Sequence, residues 1–259
     1  TQGADWHFSF EERFIIAGKA LWFYLYKLTY PMNLTFSYPK WSVDSALVSH
    51  YLPSLAFLAL IAGLGLLLNK VGRGPLVAIL FFSGTLFPAL CFFNIYYMRY
   101  SFVSDHWQYL ACIGPIALFS GSLTVLASYA SSASRSSDPV NILPYFLPTF
   151  SVSILLVLGL LTWKQTHIYK NKEVLWRDTL SKNSGSYLAQ VNLGRELIKQ
   201  GKLQEALGHY QKALALNPNS PRSASARTGL GIILERMGKP SEAQACYRQS
   251  LELDWNSSA

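Results

Sequence analysis

The sequence predicts an all-α chain in two parts, a polytopic bundle of transmembrane helices followed by an α-solenoid. Three observations carry that reading. Composition comes first: 51% of the 259 residues are hydrophobic and only 14% are charged, too apolar for an ordinary soluble domain. Charge is also unevenly spread. Residues 1–163 hold eight Lys or Arg and six Asp or Glu, whereas residues 164–259 hold fourteen and eight, so most of the net charge of +8 sits in the last third. Lastly, that charged tail repeats itself at an offset of 37 residues.

In chain order, the first element is the apolar and aromatic stretch 14–30, with Arg13 just ahead of it and Lys19 and Lys27 two turns apart on one helical face. It reads as a span whose lysines face a polar cavity, or alternatively as an amphipathic helix lying in the membrane interface. Pro31 ends it, and residues 31–50 follow as an ordered loop punctuated by Pro and aromatic residues. Four uncharged runs come next, at 51–69, 76–98, 107–128 and 145–163. Each has about 19 residues or more, enough for a helix to cross a hydrocarbon core of roughly 30 Å. An open chain can cross lipid only as a helix, because every backbone amide must find its partner within the segment.

The loops give an orientation. Lys70 and Arg73 share a very short connection, which the positive-inside rule places in the cytoplasm. Alternation then puts loops 31–50 and 94–108, and the tail beyond the last span, on the far side. A multi-pass membrane protein with an extracytoplasmic tail is therefore expected. A basic tail beside an anchor points to membrane lipid as a partner, and without a base-reading motif no nucleic acid is expected.

The loop Asn94–Leu110 gathers Arg99, Asp105 and His106 among Tyr96, Tyr97, Tyr100, Trp107 and Tyr109, the mixture that settles at headgroup depth. The planar guanidinium of Arg99 suits a phosphate, His106 could add a donor, and a helix starting at Asp105 would offer free amides to the same anion. Plainer readings stand beside these. Asp105 and Gln108 have the spacing of a capping box opening the next span, Arg99 that of an anchor snorkelling to lipid phosphates, and His106 that of a solvated neighbour. Cys91, Cys112 and Cys246 show no paired spacing, so neither a metal site nor a disulfide framework is expected.

In the tail, aligning Leu193 and Gly194 with Leu230 and Gly231 puts Gly201 on Gly238, Ala206 on Ala243 and Tyr210 on Tyr247. That is the 34-residue tetratricopeptide period lengthened by three residues near 218–225. The small residues Gly194, Ala206 and Ala213 let paired helices approach, Tyr210 fills the space between them, Gly201 turns the chain and Pro218 ends the second helix. A half-repeat at 170–185 precedes repeats at 187–220 and 224–255, so domains are expected at 1–163 and 164–259. An array of this kind offers a surface for a protein partner.

The chain opens at Thr1 without a methionine or signal peptide and is expected to be part of a longer protein. Its stretches ALWFYLYKLTYPMNLTFSYPKW and GTLFPALCFFNIYYMRYSFVSDHWQYLA, with a last span followed at once by tetratricopeptide repeats, resemble a family of multi-spanning membrane proteins with C-terminal repeat arrays. These are related to the transmembrane-and-tetratricopeptide protein O-mannosyltransferases and similar to the C-type glycosyltransferases, and for one of the bacterial forms of the family a bacterial inner membrane is the expected location. The resemblance implies transfer of a sugar from a polyprenyl-phosphate donor to a protein or glycan on the extracytoplasmic face, with no further cofactor. It also implies a catalytic carboxylate in a first external loop, which here is expected upstream of Thr1. The alternative function is a non-catalytic, membrane-anchored scaffold that assembles protein partners through its repeats.

Overall fold

The computed structural model describes residues 8–133, 143–218, 220 and 222–258, and its regular elements there are all helical. Helix α1, Phe10–Thr29, opens on a capping box: Ser9 Oγ accepts from the Glu12 N–H at 3.2 Å, and Glu12 Oε2 accepts from the Ser9 N–H at 2.8 Å. It is the deeply buried element of the N-terminal half, with Ile15, Ile16, Ala20 and Tyr24 fully enclosed.

The cations of α1 all reach into loops. Arg13 donates to the Cys91 carbonyl at 2.6 Å and to Asn94 Oδ1 at 2.8 Å; Lys19 donates to the Ser42 carbonyl at 3.1 Å; Lys27 donates to the Met32 carbonyl at 2.5 Å. Tyr24 adds a two-way exchange with Ser104, its hydroxyl accepting the N–H at 3.0 Å and donating to the C=O at 3.3 Å. Contacts with residues 32–42 and 91–104 therefore recur from the first turn of α1 to the last. The stretch 14–30 is thus a helix whose cations meet loop carbonyls along its whole length.

A short 3-10 turn, Val48–Tyr51, leads into α2, Leu52–Leu66, which crosses α1 closely at Gly18. A Cβ at Gly18 would run into Ser54, whose hydroxyl donates to the Phe14 carbonyl at 2.7 Å. The short α3, Leu68–Val71, and Gly72 at φ 75° turn the chain into α4, Gly74–Leu86. Here the structure departs from the expected span 76–98. Pro88 brings no N–H to the ladder, α4 gives way to a 3-10 turn over Phe87–Ala89, and Cys91 takes the left-handed region at φ 68°. Residues 90–112 then form an irregular layer with single 3-10 turns at Tyr96–Arg99 and Asp105–Gln108. The helix expected from 107 begins only at Ile113, as α5, Ile113–Ala133; α6, Leu143–Thr166, packs on it.

Among the described residues two helices, Val48–Leu66 and Pro148–Tyr169, are long and apolar enough to cross a membrane. Gly74–Ala89 and Ile113–Tyr129 are apolar but shorter; the former reaches only about 24 Å at 1.5 Å per residue. The expectation of five spans is reduced to two by this measure. Those two are not core helices, since none of the Pro148–Tyr169 window is buried and only 11% of the Val48–Leu66 window. Leu155, Leu156, Leu160 and Trp163 are 63–68% exposed, a continuous apolar surface that water-soluble chains avoid.

The tail forms the expected helix pairs. After α7, Lys172–Lys182, come α8, Tyr187–Lys199, with α9, Leu203–Leu216, and then α10, Ser223–Arg236, with α11, Pro240–Ser258. Gly201 and Gly238 make the two intra-pair turns at φ 76° each, which a side chain resists. Leu193, Ala206, Tyr210, Ala213 and Ala243 are buried as the alignment requires; Leu230 packs on the same core, and Gly231 abuts Tyr247. Helix α9 stops at Asn217, just before Pro218.

Candidate functional site at the loop layer

The solenoid is seated on the loop layer. Helix α7 follows a 3-10 turn, His167–Tyr169, instead of an antiparallel partner helix. Loop 34–38 occupies that flank: Phe36 meets Trp176 edge-on with ring centroids 5.0 Å apart, Lys182 Nζ donates to the Leu34 carbonyl at 2.8 Å, and Asn183 Nδ2 donates to the Ser37 carbonyl at 3.1 Å. Phe36 and Tyr100 pack against the hydrophobic core of the repeats, and the Arg222 guanidinium lies over the Tyr100 ring at 6.0 Å. Loop 31–50, loop 94–108 and the solenoid are thus in direct contact.

Within this layer Asp105 is the focus. Its Oδ1 accepts from Tyr38 Oη at 2.8 Å, across 67 residues of sequence. The segment Asp105–Gln108 is one 3-10 turn entered from Ser104, with no side-chain cap bond. The capping-box reading of Asp105 thus gives way to a tertiary bond, and no α-helix N-terminus is present there to hold an anion. Burial pushes the Asp105 carboxyl above its ordinary value, while the Tyr38 hydrogen bond and the charges of Lys27, His106 and Lys182 pull it back. The phenols around it stay protonated: burial pushes Tyr97 up to about 12 and raises Tyr38 and Tyr169 as well. Tyr97 spends its hydroxyl on the Phe36 carbonyl.

The three loop residues singled out by sequence are not equivalent. His106 is exposed, and its Nδ1 lies 2.8 Å from Ser104 Oγ. Arg99 is half-buried, with its guanidinium over the Tyr96 ring at 5.6 Å and its charge acting on Tyr100. Asp105 gathers His106, Lys27, Tyr38 and Lys182 around it. Among the described residues, no three His, Cys, Asp or Glu side chains gather to hold a metal ion. Sequence reasoning missed Tyr38, Phe36 and Lys182. The sole sequence sign was Lys27, a cation on the buried face of α1; Lys182 is 148 residues from its acceptor, and nothing local foretells that pairing.

The sign of the Asp105 shift gives a test. A carboxyl whose folded-state pKa lies above the unfolded value binds its proton more firmly in the fold, so its contribution is full below its ordinary value and is lost as pH rises through the raised one. The ionised carboxylate thus costs stability near neutrality. Asp105→Asn, which can still accept from Tyr38, is expected to melt no lower than the parent at about pH 7 and to flatten the change in melting temperature above about pH 4. A clear loss of stability at neutral pH would show that the charge pairs outweigh burial.

Tetratricopeptide repeat, as a family, matches residues 186–254, which are the two helix pairs. Over 161 residues, 61% of this chain, the sequence is 28% identical to Protein O-mannosyl-transferase TMTC1 of Homo sapiens. The matched stretch spans 16% of that relative's length. The described residues are all-α, with two helices long and apolar enough to cross a membrane; the chain carries a tetratricopeptide array of the kind that mediates protein–protein interaction and has a distant similarity to an O-mannosyl-transferase.

Proposed function

We propose that this chain is the solenoid-bearing, membrane-anchored part of a glycosyl-transfer protein that moves a sugar from a polyprenyl-phosphate donor to a protein held by the repeats on the extracytoplasmic face. The observation that carries the reading is the docking of the solenoid on the loop layer through Phe36, Lys182 and Asn183. A partner held by the repeats would thereby be brought towards the loop of Arg99, Asp105 and His106, and holding two reactants in register is a large part of any group transfer. The similarity to an O-mannosyl-transferase supports the reaction class. Arg99 would meet the donor phosphate, since a guanidinium fork matches its oxygens.

The test uses the longer natural protein, measuring polyprenyl-phosphate-sugar binding and transfer alongside membrane insertion. Arg99→Ala and Arg99→Lys are both expected to lose about tenfold to a hundredfold in donor binding, because lysine keeps the charge and loses the fork. His106→Gln should lose less. An Arg99→Ala protein that inserts normally and binds donor like the parent would falsify the donor role. The repeat match then favours the second reading, a membrane-anchored scaffold without chemistry of its own.

A further inference from the structure

A concavity lies between α1 and the start of α2, with Phe23 as the wall towards the Asp105 group, its ring meeting Tyr38 edge-on at 4.8 Å. It is an open groove of about 890 Å³, and its floor and walls are Trp22, Tyr26, Trp41 and Leu52 with the Lys19 ammonium at one side. No acidic residue lines it. Lys19 pairs with no carboxylate among the described residues; its single acceptor is the neutral Ser42 carbonyl at 3.1 Å. An ammonium carries three donors, so two N–H groups remain for a ligand, with the exposed Ser42 and Ser49 beside them.

Position decides the class of ligand. The groove opens at the N-terminal end of the apolar helix Val48–Leu66, where a span would enter the bilayer. Its outer face continues into Leu52, Leu55 and Leu58, each more than half exposed. Trp22 is fixed across it by donating Nε1–H to the Pro53 carbonyl at 2.8 Å, an arrangement in which indole sits at headgroup depth. A cation at the rim and apolar surface running away from it complement a molecule with an anionic head and a hydrocarbon tail. We propose that the groove seats one anionic phospholipid of the surrounding bilayer, its phosphate on Lys19 and an acyl chain along Trp22 and Leu52. The lipid would hold helix α1 against the first span independently of any sugar chemistry. The inference rests on Val48–Leu66 crossing the membrane.

The experiment reconstitutes the full chain into bilayer discs of phosphatidylcholine with or without phosphatidylglycerol, verifies insertion, and counts retained lipid by native mass spectrometry. The parent is expected to keep one phosphatidylglycerol, Lys19→Gln to keep about tenfold less, and Lys19→Arg to keep it nearly as well, since a charge-assisted bond to phosphate is lost in the first and replaced in the second. Equal retention by the parent and Lys19→Gln, or displacement by inorganic phosphate alone, overturns the lipid site. So does displacement by polyprenyl phosphate in preference to phosphatidylglycerol, which would hand the groove to the donor. A chain that fails to enter the discs at all overturns the span reading instead.

Discussion

Gly229→Val is expected to melt the solenoid at markedly lower temperature than the parent, by about 3 kcal/mol or more of lost stability. Tyr210 is the reason. Its ring is buried between α8 and α10, where a Cβ on Gly194 would approach it to 2.7 Å and one on Gly229 would come closer still. The ring cannot retreat from one glycine without striking the other, so added methyl groups force the helix pairs apart instead of being absorbed by a rotamer change. Because each pair buries its apolar face only against its neighbours, the loss spreads along so short an array. Gly208→Ala is the control. A Cβ there meets nothing within 4 Å, and the better helix propensity should leave stability equal or up to about 1 kcal/mol higher. Thermal unfolding and limited proteolysis of the intact chain read both. Parent-like behaviour of Gly229→Val would mean that Tyr210 is not the wedge between the repeats.

Phe36→Ala is the second large effect, expected to detach the solenoid from the loop layer at a cost of about 3 kcal/mol, the lower end of the range for truncating a buried aromatic because Phe36 is only half-buried. Lost with it are the edge-on contact to Trp176 and the packing that keeps the Leu34 and Ser37 carbonyls in reach of Lys182 and Asn183. Hydrogen exchange would report it. Protection should fall in α7 and in residues 31–38 together, while α10 and α11 keep theirs. If α7 retains full protection, the half-repeat stands without the loop, and the presentation of a partner to Arg99 loses its structural basis.

The contrast between these two cases says where the sequence was informative. The glycines, alanines and tyrosines of the repeats recur at a fixed offset because they answer to neighbours one helix away, so their roles were readable from spacing alone. Gly201 and Gly238 turned where expected, and the helix boundaries followed within a few residues. Apolar runs likewise announced α2 and α6. What periodicity overstated was length: an uncharged run from 76 to 98 contains Pro88 and a left-handed Cys91, and hydropathy does not register either.

Read alone, the sequence determined that the chain is helical, that its apolar half has stretches suited to lipid, and that its tail is a tetratricopeptide solenoid. Those properties depend on composition and on near neighbours along the chain. The tertiary structure alone decided that α1 lies along the loops, that Asp105 accepts from Tyr38 instead of capping a helix, and that loop 34–38 seats the solenoid. Each of these outcomes depends on pairs tens of residues or more apart, such as Arg13 with Cys91 or Lys182 with Leu34. A cation donating to a backbone carbonyl leaves no mark in the acceptor's side chain, because every residue carries that carbonyl.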